Sequence, residues 1–336
     1  MTIRQGARQL ATGQRSRLHV LHVDSGEDVV IAESGSLLFE APNWTPDGAW
    51  LLVNGDGGLF RVAPSGGGLV PVGLGDVPGI NNDHVLSPDG SSVFVSAFDG
   101  HLYEVVLATG ESRRVSNDRG DHFMHFLHGV SPDGQTLAYI GLQIEPDGSV
   151  LTNVWTIPAA GGIDVQLTDD RYPDDGSEYS PDGAWIYFNS ERGSSTPGHA
   201  QLFRMAIDGS NVQQLTDDER VNWFPHPSPD GSRIAFVSFP PGTLGHPADL
   251  PVLLRLIEAD GTVRDLISLF GGQGTTQTAR EARVALGFEA VVFLIQPFVG
   301  GFAGVDGATL LRRDRRHRIG ARRTHAVTFF EAGDLR

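Results

Sequence analysis

The sequence predicts an all-β fold, a six-bladed β-propeller of four-stranded antiparallel blades, from three observations. A Ser/Thr-Pro-Asp-Gly tetrapeptide occurs five times, starting at Thr45, Ser87, Ser131, Ser180 and Ser228. The copies lie 42, 44, 49 and 48 residues apart, and a period of about 40 to 50 residues is typical of repeat architectures. Short alternating apolar runs flank each copy, and the 43 Gly and 20 Pro suit many short strands joined by tight turns.

Each repeat shows the same order of predicted elements. A first apolar strand ends at the tetrapeptide, where Pro presets φ, Asp can bond the backbone two residues on, and Gly takes the positive φ. A second strand such as 185–188 and a third such as 202–205 follow, and a short outer strand closes the unit at 208–216. One such sheet cannot bury both faces alone, so we expect the sheets to pack radially as blades.

The phase of the repeat predicts how the ring closes. Complete units begin near residues 37, 78, 122, 173 and 220. The N-terminal stretch 17–33 has the pattern of a third and a fourth strand without a first and a second. We therefore place the propeller at 17–270, assign 17–33 to the closing blade, and expect the C-terminal end to supply its two missing strands.

The C-terminal segment 271–336 has a different character. Residues 1–270 hold 15 Arg and 35 acidic residues, whereas residues 271–336 hold 10 Arg and 6 acidic residues. No sixth tetrapeptide appears at 275–285. This segment is a basic arm for an anionic partner, a solvated or disordered tail, or the product of a shifted reading frame, which the abrupt end of the repeat favours. In the last case the closing blade is incomplete, although 290–295 could supply one strand.

Composition excludes several classes of function. The net charge of −16 disfavours nucleic acid and anionic membranes as partners. There is no Cys, and therefore neither disulfide nor thiolate chemistry. No signal-like apolar run follows Met1 and no stretch of about 20 apolar residues exists, so we expect a cytoplasmic protein without a membrane span. A protein or a carbohydrate is the expected ligand.

The repeated turns, with strands such as 202–205 and a Gln-Leu-Thr end at 214–216, resemble the TolB family of WD40-like (PD40) β-propeller repeats. The resemblance covers roughly residues 17–270. TolB itself carries a signal peptide and an N-terminal α/β domain, and the present sequence is similar to the stand-alone propellers. The resemblance implies a non-catalytic propeller that binds a ligand or a protein partner at one mouth of its channel.

Polar residues just before the turns are the candidate site. In four successive blades a His or Glu lies two or three residues before the turn, namely His84, His128, Glu178 and His226. Converging on the channel, they could hold a divalent metal such as Mn or Zn. A His beside a carboxylate could instead act as a general base, or the residues could simply line a wet channel. The further ligand-binding candidates are Asn43, Asn82, Asp83, His125, Asp175 and Trp223.

A second resemblance bears on the enzymatic alternative, a metal-dependent lyase or hydrolase acting on acidic oligosaccharides. Oligogalacturonate lyases are propellers with similar repeats, and their family places His and Gln ligands around a Mn ion. His226, in the run 223–229, resembles one such ligand, and Gln273 is a candidate for the Gln. The paired His-x-His of that family is absent, since position 224 is Phe.

Overall fold

The structure of the protein, a computed structural model, describes residues 6–247, 250–270, 277–278 and 290–295. It confirms the predicted fold class, because six four-stranded antiparallel sheets form the blades of a propeller. Within the described part of the chain, no helix has the length and apolarity that a membrane crossing requires.

Five blades are each made of four consecutive strands. The first blade comprises β3 (Phe39–Trp44), β4 (Leu51–Gly55), β5 (Gly58–Val62) and β6 (Val70–Val72). The second comprises β7 (Ile80–Leu86), β8 (Ser92–Ala97), β9 (Leu102–Val106) and β10 (Ser112–Arg114). The third comprises β11 (Phe123–Val130), β12 (Thr136–Ile144), β13 (Val150–Pro158) and β14 (Val165–Gln166). The fourth comprises β15 (Asp174–Tyr179), β16 (Trp185–Ser190), β17 (Gln201–Ala206) and β18 (Gln213–Gln214). The fifth comprises β19 (Val221–Pro227), β20 (Ile234–Phe239), β21 (Pro251–Ile257) and β22 (Val263–Phe270).

The sixth sheet joins the two ends of the chain. Its strand order is β2 (Asp28–Ser34), β1 (Ser16–His22), β24 (Ala290–Ile295) and β23 (Gln277–Thr278). β1 and β24 are antiparallel, in a register that runs from Arg17↔Ile295 to His22↔Ala290. Apart from 277–278 and 290–295, the segment 271–336 lies outside the described residues, and so do the three interpretations offered for it.

The first strand of every blade lies nearest the axis. β3, β7, β11, β15 and β19 contact their neighbours in turn, and β23 contacts both β19 and β3. The tetrapeptide turns follow these strands and therefore gather at one end of the channel, here called the turn mouth. The opposite end, where the first strands begin, is called the loop mouth.

The same pair of hydrogen bonds recurs in the tetrapeptide turns. In the fourth blade the Ser180 hydroxyl donates to Oδ1 of Asp182 over 2.5 Å and accepts the backbone N–H of Trp185 over 2.9 Å. Thr45 makes the same two bonds in the first blade, to Asp47 and from Trp50. The recurring turn is thus fixed by a side chain as well as by its Pro and Gly.

Bulges in the channel-lining strands decide which side chains face the channel. In β15, Asp175 pairs with Asn189 and Glu178 pairs with Tyr187, so three steps on one strand oppose two on the other. Residues three apart on a regular strand face opposite sides, whereas the extra residue returns Asp175 and Glu178 to the same face. β3 and β19 carry the same shift, between Glu40 and Asn43 and between Trp223 and His226.

A positive φ marks the same position in these three bulges. Ala41, Gly176 and Phe224 all lie four residues before the Ser or Thr of their turn, with φ of 50°, 67° and 55°. For a bulky residue such as Phe224 a positive φ is unfavourable, and it persists only where the surrounding structure enforces it.

Candidate functional site

Glu178 and His226 form a hydrogen-bonded pair between the fourth and fifth blades, through Oε2 of Glu178 and Nδ1 of His226. Their side chains are 23% and 14% exposed, so the pair is partly accessible from the channel. Both residues lie two positions before their turns, and adjacent blades place these equivalent positions side by side. The sequence analysis named both residues.

His128 and Asp175 form a second pair, between the third and fourth blades. Nε2 of His128 lies 2.8 Å from Oδ1 of Asp175. His128 is the extra residue of the β11 bulge, between Leu127 and Gly129. Asp175 was predicted as a ligand-binding residue and His128 as a metal ligand, and the structure brings the two together.

Electrostatics join Asp83 of the second blade to this pair. Burial raises the pKa of Asp83 to about 6, the charge of His128 opposes the rise, and the charge of Asp175 adds to it. Burial alone would lower the pKa of His128, but its hydrogen bond to Asp175 and the charges of Asp175, Asp83 and Glu178 raise it. Burial raises the pKa of Asp175, but the hydrogen bond and the charge of His128 outweigh it and lower the pKa below its usual value. This set favours a protonated His128 between carboxylates.

Aromatic rings wall this part of the channel. The rings of His246 and Trp223 meet edge to face at 4.9 Å between centroids, and those of His246 and Phe224 at 5.3 Å. Phe224 also lies 6.0 Å from the ring of His128. Burial lowers the pKa of His246 to about 4, so this imidazole is neutral at physiological pH. Trp223, a predicted ligand-binding residue, is thus packed at the edge of the His128 set.

The N-terminal segment 6–14 reaches the loop mouth. Arg8 makes a two-pronged contact with Glu40, with Nη2 2.8 Å from Oε1 and Nε 3.1 Å from Oε2. Gln9 donates to Oδ1 of Asp56, in the turn between β4 and β5, over 2.9 Å. The charge of Arg8 also acts on Asp83 and His246. Arg8 therefore belongs to the same electrostatic set as the channel residues.

The other predicted residues lie apart from these pairs. His84 is buried, and burial lowers its pKa to about 4. Asn43 is also buried and donates to the backbone oxygen of His84 over 3.0 Å, which links the first two blades. His125 packs between the second and third blades, with Nδ1 2.8 Å from the Gly100 oxygen. Asn82 is half-buried near the start of β7.

A pocket opens at the turn mouth. Five blades contribute to it through the ends of their first strands and the turn prolines, and its lining comprises Asn43, Trp44, Pro46, Val85, Leu86, Ser87, Gly129, Val130, Glu178, Tyr179, Pro181, Pro227 and Pro229. Among these lining residues the charged one is Glu178, and polar and apolar atoms contribute about equally to the exposed walls. The pocket therefore offers one carboxylate within a ring of Pro and aromatic side chains.

The four predicted metal ligands do not form one set. Glu178 pairs with His226, His128 pairs with Asp175, and His84, in β7 of the second blade, belongs to neither pair. Across the described ranges, no group of three or more His, Asp or Glu residues is placed to hold a metal ion. A single ion held by all four residues does not fit this arrangement, and metal binding at either pair stays a prediction.

Sequence reasoning missed Arg8, Glu40 and His246. Arg8 lies 32 positions before Glu40, outside the repeat, and His246 lies in the loop between β20 and β21. A search confined to the residues before each turn could not include Arg8 or His246. Glu40 had one available signal, since it precedes Asn43 by the same three positions that separate Asp175 from Glu178.

Comparison with known proteins supports the family assignment. The model of the PD40 TolB β-propeller domain matches residues 85–245. An uncharacterized protein of Agrobacterium fabrum is 36% identical over 276 residues, which is 80% of this chain and 90% of that protein. A solved structure from Agrobacterium tumefaciens, described as a candidate TolB, is 33% identical with a TM-score of 0.74, over 84% of this chain and 98% of that one.

An oligogalacturonate lyase solved in complex with manganese is more distant. It is 16% identical with a TM-score of 0.51, over 80% of this chain and 73% of the lyase chain. A likeness at this level shows a shared fold alone. The repeat pattern, the six-bladed ring and the full-length relatives agree, and the chain belongs to the family of PD40, TolB-like β-propellers.

Proposed function

We propose that this protein is a non-catalytic TolB-like propeller that binds a protein segment or another ligand at the turn mouth of its channel. The observation that carries the proposal is the pocket to which five blades contribute. Binding sites are typically concave and mostly apolar, with few polar groups that set orientation. The turn-mouth pocket is concave, and it combines Pro and aromatic side chains with polar groups that include Asn43, Ser87 and Glu178.

The lining suggests what the ligand presents. Pro46, Pro181 and Pro229 form rigid apolar walls beside Trp44 and Tyr179. Such walls suit an apolar or aromatic side chain of a partner, and Pro residues order few rotamers on binding. Glu178 would accept a hydrogen bond from the same partner, with His226 holding its carboxylate in position.

Site-specific photo-crosslinking tests the proposal. A photoreactive amino acid replaces Trp44, inside the pocket, and in a matched control replaces Ile163, which is 85% exposed on the outer part of the third blade. In lysate of the source cell we expect a discrete protein adduct from position 44 that position 163 does not give. Glu178→Gln should reduce that adduct. The same adducts from both positions, or none from position 44, would contradict binding at the turn mouth.

The pair Glu178–His226 favours one alternative, a lyase or hydrolase acting on acidic oligosaccharides. A carboxylate that orients an imidazole is an arrangement used in general acid–base catalysis. The test is incubation with oligogalacturonates, with and without Mn, followed by chromatography of the products. Turnover that His226→Gln abolishes would replace the binding proposal, whereas intact oligosaccharides in every condition would leave it in place.

A further inference from the structure

We infer that the loop mouth is a second binding site, which recognises a guanidinium group carried on a peptide, and that Arg8 of this chain occupies it as an internal ligand. The site lies at the opposite end of the channel from the turn-mouth pocket. Its acidic side is formed by Glu40, Asp83 and Asp175. The inference does not rest on the function proposed above.

The contact between Arg8 and Glu40 is a charge-assisted one. Nε of Arg8 donates to Oε2 of Glu40 over 3.1 Å, and Nη2 lies 2.8 Å from Oε1 as an ion-pair contact. A planar guanidinium places two nitrogens beside one carboxylate, which the single ammonium of Lys does not. The Glu40 side chain is 7% exposed, whereas that of Arg8 is 30% exposed. The carboxylate is thus built into the first blade, and the cation reaches it from the surface.

The charges of the channel require a cation at this place. Glu40, Asp83 and Asp175 supply three carboxyl groups, which Arg8 and a protonated His128 face. Without Arg8, the buried carboxyls of Glu40 and Asp83 and the partly exposed carboxyl of Asp175 would face one imidazolium. Burying an unpaired carboxylate is costly, so the group takes a proton or finds another cation. Burial already raises the pKa of both Glu40 and Asp83, which shows that proton uptake is within reach.

The start of the segment that carries Arg8 lies on the surface, whereas its end at Gln14 is buried. Besides Arg8, Gln9 contacts the mouth through its hydrogen bond to Asp56, both on the exposed surface. Ala7 and Leu10 are both half-buried, and neither belongs to the core cluster of the first blade. In contrast, β1 directly after this segment is anchored by Leu18, which is fully buried. A competing peptide would need to displace the exposed start of this segment and not β1.

The experiment supplies the segment in trans. The Arg8→Ala variant of the full chain is titrated by calorimetry with a peptide copying residues 6–14, and with the same peptide carrying Arg8→Ala. We expect the first peptide to bind one to one, at least about tenfold more tightly than the second, because the charge-assisted contact to Glu40 is lost in the latter. Arg15→Ala is the matched control, since Arg15 pairs with Glu33 on the exposed surface. Arg15→Ala should bind the peptide as the wild type does. In both proteins Arg8 occupies the site, so the peptide should bind at least about tenfold more weakly than it binds Arg8→Ala.

Two further arms identify what is recognised. N-acetyl-arginine amide should compete with the peptide, and N-acetyl-lysine amide should compete at least about tenfold less well. Peptide binding to Arg8→Ala near pH 6 should release protons, seen as an enthalpy that varies with the buffer, because carboxyls protonated in the empty site ionise against the guanidinium. Equal binding of the two peptides to Arg8→Ala, or an enthalpy that does not vary with the buffer, would overturn the inference. Circular dichroism of both variants confirms that each is folded before titration.

Discussion

His128 of the third blade and Asp175 of the fourth are joined across the blade interface, with 2.8 Å between Nε2 and Oδ1. The folded-state pKa of His128 is raised, so its contribution to stability is present below its unfolded value of 6.5 and is lost as pH rises through the folded value. The pKa of Asp175 is lowered from 3.8, so its contribution is lost as pH falls through the folded value. The pair therefore stabilises the interface most strongly in mildly acidic solution.

We predict that His128→Gln lowers the free energy of unfolding by roughly 2 to 3 kcal/mol at about pH 6. The effect is smaller than for a fully buried pair, because the two side chains are 15% and 25% exposed. Urea titrations of both proteins at several pH values measure it. The difference should narrow as the pH rises past the folded pKa of His128, and a difference that stays constant up to about pH 9 would contradict the protonated pair.

Asp83→Asn should raise stability at neutral pH. Asp83 has a folded pKa of about 6 against 3.8 for the unfolded chain, so the wild type loses stability as the pH rises from the lower to the higher value. A shift of about two units corresponds to about 2 to 3 kcal/mol. We expect the Asn variant to lack this slope and to melt at a higher temperature at neutral pH, as scanning calorimetry would show.

Asp89→Asn is the control for Asp83→Asn, because its expected effect on stability at neutral pH has the opposite sign. Hydrogen bonds from Ser87 and Ser91 lower the pKa of this exposed turn carboxylate to about 2. The stability that Asp89 contributes is therefore fully present above pH 3.8, and it is lost as the pH falls through the folded-state pKa. Its removal should lower the melting temperature at neutral pH. If Asp83→Asn also lowered that temperature, the burial cost assigned to Asp83 would be wrong.

Ser180→Ala should destabilise the fourth blade by about 1 to 2 kcal/mol, because it removes the hydroxyl that bonds both Asp182 and the backbone N–H of Trp185. Equilibrium unfolding in urea gives the value. Ser180→Thr is the conservative counterpart, since Thr45 makes the equivalent bonds in the first blade. An equal loss in both variants would show that the hydroxyl is not what matters.

Gly176→Ala should cost about 1 to 2 kcal/mol, because the backbone there has a φ of 67°. A Cβ atom at this position would also lie 3.0 Å from Oδ1 of Asn189 and 3.1 Å from Cδ1 of Phe224. Thermal unfolding measures the loss. The reverse change in the first blade, Ala41→Gly, relieves a φ of 50° and should be neutral or stabilising. Equal destabilisation by both changes would contradict the argument from φ.

The repeat predicted the fold because each tetrapeptide carries its own local physics. Pro, Asp and Gly specify the turn wherever they occur together, and the hydroxyl before them completes it, as Ser180 shows. The five turns therefore set the period, the strand order and the identity of the strands nearest the axis. None of this needed contacts between distant parts of the chain.

The candidate site was predictable only in part. Glu178 and His226 occupy equivalent positions in adjacent blades, so counting back from the turn found both. The pairing of His128 with Asp175 depends on β-bulges. A bulge inserts one residue and so changes which side chains face the channel, and it leaves no clear mark in the sequence. Arg8 lies outside the repeat, and only the assembled fold brings it to Glu40.

The seam between β1 and β24 also sets the timing of assembly on the ribosome. Synthesis at about 5 to 20 residues per second separates His22 from Ala290 by roughly 15 to 50 seconds. Throughout that interval the edge of β1 that later receives β24 has no strand to pair with. An unpaired edge is a template for pairing with another chain. On a crowded polysome, the nearest strand of matching sequence belongs to a neighbouring nascent copy, so we expect domain swapping to be the misassembly that this seam favours.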